Sequence, residues 1–123
     1  MAFHSPAEFD VLWEKSFNSG DADGVLCLYS ADAVIVPEPG VRVQGHEGIR
    51  AVVDQFLAAA PASVSFLGSS IIENGETAVL FTPWTASITG PEGPIPMEGN
   101  ATVVLHKGAD GWLAVIDDFY SKS

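Results

Sequence analysis

Residues 17–50, FNSGDADGVLCLYSADAVIVPEPGVRVQGHEGIR, decide the fold of this 123-residue chain. Gly20 marks where a first helix must stop. Asp21 behind it has a side chain that accepts hydrogen bonds from the free N–H groups opening a second helix. Val25, Leu28 and Tyr29 then recur at helical spacing. After Ser30 the pattern changes to Ala33-Val34-Ile35-Val36, a buried strand rich in β-branched residues that Pro37 and the Pro39-Gly40 pair terminate. Gly45 and His46 lead into a third helix with Ile49, Val52, Val53, Phe56 and Leu57 on one face.

On the N-terminal side, Ser5-Pro6-Ala7-Glu8 reads as a helix start, with Ser5 as cap, Pro6 at the first helical position and Glu8 completing a capping box. The first helix is expected to run to about residue 19. Phe9, Trp13 and Phe17 follow at i, i+4 and i+8, an aromatic stripe that either packs a core or faces a ligand. On the C-terminal side the pattern is nearly all strand. Residues 63–67 and 71–72 form a first segment, and Asn74-Gly75 signals a turn before a strand at 77–82. Pro83 interrupts that strand, and TGPEGPIP at 89–96 reads as a long turn region. Residues 100–106 and 112–120 close the chain as a hairpin around a loop at 108–111.

Pairing Lys107 with Trp112 across that loop fixes which side chains share a face. One face collects Val103, Leu105, Trp112, Ala114 and Ile116, ending in Asp118 and Tyr120. The other collects Asn100, Thr102, Val104, His106, Leu113, Val115, Asp117 and Phe119. Asn100, Thr102 and Asp117 would be polar neighbours on a surface otherwise apolar, as in a ligand pocket. The same arrangement also suits an outer, solvated or dimer-forming face.

Length and composition bound the rest. A chain of 123 residues fits one domain, 1–123, with a core of its own. A formal charge of −11 with five Lys+Arg argues against nucleic acid and against an anionic membrane surface. Cys27 is the only cysteine, so no internal disulfide can form, and its aliphatic neighbours suggest a small buried side chain. MAFHSPAEFD lacks the basic and apolar regions of a signal peptide, and no stretch of 18 apolar residues occurs; a soluble cytoplasmic protein is expected. His4, His46 and His106 lie in separate elements without metal-ligand spacing. There is no Gly-x-Ser-x-Gly, Gly-x-Gly-x-x-Gly or Walker sequence, so neither a metal nor a nucleotide cofactor is expected.

The order of elements, the Gly20-Asp21 pair between the first two helices, Gly45 to Arg50 opening the third, and a last strand starting Gly111-Trp112 resemble the nuclear-transport-factor-2-like superfamily, in its SnoaL-like and ketosteroid-isomerase-like branch. The resemblance extends over nearly the whole chain. It implies an α+β fold: a cone-shaped barrel in which three N-terminal helices pack on a curved, mostly antiparallel sheet enclosing a pocket, with homodimerisation through the outer face of the sheet. It does not by itself imply a reaction, since the fold serves isomerases, cyclases, hydrolases and modules without catalysis.

Carried over residue by residue, the isomerase base position falls on Pro37, with Glu38 one residue away. The oxyanion Asp position holds Thr102, and the first helix carries Trp13 and Phe17 but no Tyr. The acid/base carboxylates left are Glu38, Asp117 and Asp118, and the donors Tyr29, Trp84, Asn100, Thr102 and Tyr120. Asp117 is the leading candidate, because a carboxylate on an apolar strand has its pKa raised by desolvation toward the range of a base working near neutrality. Glu38 is second, if the Pro37-Glu38-Pro39 backbone turns it inward. Trp13, Phe17, Tyr29, Trp84, Asn100, Thr102 and Phe119 are the candidate ligand contacts. Two functions stay open: an acid/base enzyme without metal or organic cofactor acting on a small apolar or carbonyl-bearing molecule, and a non-catalytic ligand-binding or dimerisation module.

Overall fold

The computed structural model describes residues 3–121. The first helix, α1 (Glu8–Asn18), buries Phe9, Trp13 and Phe17 at the spacing that the sequence shows, with Asp10 beside them. Its start differs from a simple capping box. Ser5 and Pro6 form a turn whose carbonyls accept from Glu8 and Phe9, while the Glu8 carboxylate takes the His4 N–H at 3.2 Å. Gly20, at φ 73°, ends the helix, where the left-handed backbone favours a residue without Cβ. The Asp21 carboxylate accepts from the Gly24 N–H at 2.9 Å and starts α2 (Ala22–Leu26).

That second helix is one turn long. Tyr29 is therefore the first residue of β1 (Tyr29–Glu38), not the end of a helix, and Cys27 is exposed where a buried side chain was expected. A turn at Pro39-Gly40 leads to β2 (Val41–Gln44) and α3 (Gly45–Ala58), whose Ile49 and Val53 are buried. Next come β3 (Ser63–Phe66), β4 (Ser70–Asn74), β5 (Thr77–Gly90), β6 (Gly93–Gly108) and β7 (Gly111–Asp118).

The strands form one sheet in the order β2-β1-β7-β6-β5-β3, with β4 also paired to β5. All pairs are antiparallel except β1 with β7. The α+β class of the sequence reading holds, with two corrections. The sheet is curved but unclosed, and the helices do not all precede the strands, since α3 follows β1 and β2. Two strand expectations also change. Pro83 does not break β5, because it pairs with Asn100 and lies in the gap between β3 and β4, where β5 has no outer ladder to which a missing N–H would matter. The 89–96 turn region is a tight reversal at Pro91-Glu92, since Gly90 already faces Gly93.

One face of the sheet carries the core: Ala78, Leu80, Thr82 and Trp84 alternate along β5, and Ala101, Val103 and Leu105 along β6. Over this face α1 meets β3 and α2, and α3 meets β1. The phasing of β7 is what positions the site. Trp112 and Ala114 point into the core, but Val104 pairs with Ile116 and Leu105 with Ala114, so Val115 is an extra residue in a β-bulge. Beyond the bulge the inward position falls on Asp117, which pairs with Val103.

Candidate functional site

Asp117 is 4% exposed, on a core face where Thr82 is the other polar residue among the Ala, Val, Leu and Trp side chains of β5, β6 and β7. The Tyr29 phenol donates to its Oδ2 at 2.6 Å, and the Trp13 indole Nε1–H donates to the Tyr29 oxygen at 2.9 Å. This buried chain joins α1, β1 and β7. Burial pushes the Asp117 carboxyl up to about 7; the Tyr29 hydrogen bond pulls the other way, and the charges of Asp10 and Asp118 add smaller upward pushes. The Tyr29 phenol is held well above its ordinary value, by burial first and then by the Asp117 charge.

Asp117 faces a narrow, open-mouthed cleft with a cavity volume of about 60 Å³. Asp10, Trp13 and Phe17 from α1 and Trp84, Ala86 and Ile88 from β5 are among its lining residues. Phe66 and Phe119 stand edge-on to Trp13, with ring centroids 5.7 and 6.3 Å away, and Phe17 stacks on it at 5.1 Å. Trp84 is pinned by its indole N–H to the Phe119 carbonyl at 2.8 Å and by an edge contact with Tyr120.

Asp10 is the second carboxyl in the cleft. It is 9% exposed and accepts a 2.9 Å hydrogen bond from the Thr82 hydroxyl. Burial raises its pKa, while the hydroxyls of Thr82 and Ser69 lower it. Sequence reasoning missed this residue. The signal was present: Asp10 lies three residues before Trp13 and seven before Phe17, on the same helical face.

Of the residues expected from sequence, Trp13, Phe17, Trp84, Asp117 and Phe119 line this cleft, and Tyr29 lies directly behind Asp117. Others are elsewhere. Glu38 is exposed at the end of β1, and Pro37 is the residue of that strand in the cleft wall. Asn100 and Thr102 do not share a face with Asp117, because the Val115 bulge moves Asp117 to the opposite side of the sheet. On that outer side the Thr102 hydroxyl donates to Ser121 Oγ at 2.6 Å, which donates in turn to the Asn100 carbonyl at 2.9 Å. Asp118 accepts the Tyr120 N–H at 3.1 Å. His46, near the start of α3, bonds the Tyr29 carbonyl at 2.8 Å. Among the described residues, no group of three or more His, Cys, Asp or Glu is arranged to hold a metal ion, and no helix is long and apolar enough to cross a membrane.

Known structures share this architecture at low sequence identity. A point variant of Rv3472, a protein of unknown function from Mycobacterium tuberculosis, superposes with a TM-score of 0.82 at 13% identity, over 94% of this chain and 69% of its own. A proposed aromatic ring hydroxylase from Novosphingobium aromaticivorans gives 0.82 at 19% identity, over 95% and 86%. A proposed dehydratase of the NTF2-like family from Streptomyces avermitilis gives 0.77 at 14% identity, over 91% and 90%. No curated protein matches the chain significantly. These likenesses establish the fold, and the sequence profile of the SnoaL-like domain matches residues 12–117; the chain belongs to the SnoaL-like family of the NTF2-like superfamily.

Proposed function

We propose that residues 1–123 form one NTF2-like domain whose cleft binds a small apolar, carbonyl-bearing molecule, and that Asp117 is its proton carrier. The reaction class is isomerase, cyclase or hydrolase chemistry without metal or organic cofactor. One observation carries the reading: an inward carboxyl with a pKa of about 7, hydrogen-bonded by Tyr29, in a cleft walled by aromatic rings. Such a group is divided between acid and base near neutrality, as proton transfer at carbon requires. Trp13, Phe17, Trp84 and Phe119 hold the apolar body. We give Glu38 the secondary role of exchanging the proton with water, from an exposed position whose charge is felt by the Tyr120 phenol.

The test is hydrogen–deuterium exchange at the carbon next to the carbonyl in a panel of cyclic ketones, followed by NMR. Wild type should accelerate exchange, and Asp117→Asn should lose roughly a hundredfold or more of that acceleration. No acceleration by wild type would leave only the binding-module reading, and equal acceleration by both proteins would remove Asp117 as the proton carrier.

That second reading has its own support, because the isomerase base position is Pro37 and Thr102 lies outside the cleft. It also has a surface. Ile72, Val79, Val104 and Ile116 stand in one row across β4, β5, β6 and β7, with Phe81 beside them, and Ile72, Phe81 and Ile116 are 62%, 44% and 45% exposed. We assign this outer face to a homodimer interface. Sedimentation of Phe81→Glu should show a lower association state than wild type, and an unchanged state would refute the assignment.

A further inference from the structure

The two cleft carboxyls are not equivalent. Asp117 is tied to a phenol and sits deepest. Asp10 is held from below by the Thr82 hydroxyl, on the same face of α1 as Trp13 and Phe17. Among the described residues lining the cleft there is no Lys, Arg or His, so neither carboxyl has a cationic partner. A buried carboxylate without a counter-charge is costly, and natural sites meet that cost with a proton or a cation.

An anionic ligand, whether phosphate, carboxylate or sulfate, would meet two acids and no base. A neutral ligand would leave only a proton to compensate Asp10. A protonated nitrogen would donate a charge-assisted hydrogen bond to Asp10, in a cleft lined by the aromatic side chains Trp13, Phe17 and Trp84, a residue type that attracts cations. Resting on the reading of the cleft as the ligand site, we infer that its ligand is a lipophilic amine bound as the ammonium ion, with Asp10, held by Thr82, as the anchor of the charged nitrogen. The two acids then divide the work. Asp10 fixes the nitrogen, and Asp117 is left free to move a proton elsewhere on the ligand. The electron-withdrawing ammonium also acidifies nearby C–H bonds, which fits the task given to Asp117.

Three small probes of one shape and different charge test this: benzylamine, benzyl alcohol and benzoate, titrated calorimetrically and by thermal shift into the full chain. A charge-assisted hydrogen bond exceeds a neutral one by roughly tenfold in affinity. Wild type should bind benzylamine at least tenfold more tightly than benzyl alcohol, and benzoate the most weakly. Asp10→Asn should reduce benzylamine to the level of the alcohol while leaving the alcohol unchanged, whereas Asp117→Asn should keep the preference for the amine. If the alcohol equals the amine in wild type, the amine assignment is wrong and the cleft remains a ligand site. Loss of the preference in Asp117→Asn but not in Asp10→Asn places the cation elsewhere and overturns the proposed anchor. Binding of none of the three, with no shift of the Trp13 or Trp84 indole N–H signals in NMR, removes the ligand site itself and this inference with it. Should Asp10→Asn fail to fold, the wild-type ratio of amine to alcohol still decides.

Discussion

The Tyr29 phenol donates a 2.6 Å hydrogen bond to Asp117 Oδ2 across 88 residues of sequence, and the same oxygen of Tyr29 accepts the indole N–H of Trp13. This bond opposes the desolvation that raises the Asp117 pKa. Tyr29→Phe should therefore move the Asp117 carboxyl above about 7, read by carbon-detected titration of that side chain. It should also lower stability by about 1–3 kcal/mol in urea unfolding, since the Trp13 N–H loses its acceptor in a buried place. A carboxyl pKa that stays put or falls would mean that the bond does not exist in solution.

Asp117 also imposes a pH dependence on stability. Its folded pKa of about 7 lies above the unfolded value of 3.8, so the folded state binds the proton more tightly. The associated stability is present in full below the unfolded value and is lost as pH rises through the window to about 7, by an amount on the order of a few kcal/mol. Asn cannot ionise, yet its amide oxygen can still accept from Tyr29. Relative to wild type, Asp117→Asn should gain little near pH 4 and become clearly more stable by pH 8. A stability difference that is flat with pH between those limits would contradict burial of the charge.

The contrast between Asp117 and its expected neighbours shows what the sequence could and could not disclose. Helical spacing in Phe9, Trp13 and Phe17, the Gly20-Asp21 boundary and the α3 apolar face are local patterns, and they were legible because each depends on residues within a few positions. The face on which Asp117 lies depends on the Val115 bulge, a property of the pairing between β6 and β7 that no residue type announces. Strict alternation therefore grouped Asp117 with Asn100 and Thr102, and one extra residue separates them. Tyr29 was misplaced for a related reason: α2 ends after one turn because β1 is recruited by β7, through the pairing of Tyr29 with Ala114. Asp10 was legible by spacing, since it shares the helical face of Trp13 and Phe17.

Gly99 faces Trp84 across the β5–β6 ladder. A Cβ there would come within 2.9 Å of Trp84 Cζ2 and 3.1 Å of the Phe119 carbonyl oxygen. Neither can yield easily, because the Trp84 indole N–H is bonded to that same carbonyl. Gly99→Ala should destabilise by about 1–3 kcal/mol through overpacking and weaken ligand binding in the cleft, as followed by urea unfolding and probe titration. If entropy alone governed, Ala in a strand would be favoured by roughly 0.5–1 kcal/mol; a stabilised variant would show that Trp84 is free to move.

Thr82 tests the support of Asp10 without touching its carboxyl. Thr82 is 1% exposed, and its only polar side-chain atom donates to Asp10 Oδ2, so Thr82→Val keeps shape and removes one hydrogen bond. That bond lowers the Asp10 pKa against the larger push from burial. Its loss must raise the Asp10 pKa further, and the cost falls on the ionised form, at about 1.5–3 kcal/mol for a hydrogen bond to a charged group. The sign follows from linkage. Below the unfolded carboxyl value both proteins carry a protonated Asp10 and differ little; as pH rises, the variant falls progressively behind wild type until Asp10 is ionised in both. Paired thermal melts from pH 3 to pH 8 measure the gap. A gap that closes with rising pH, or one that Asp10→Asn in the same background fails to remove, would show that Thr82 acts by packing alone.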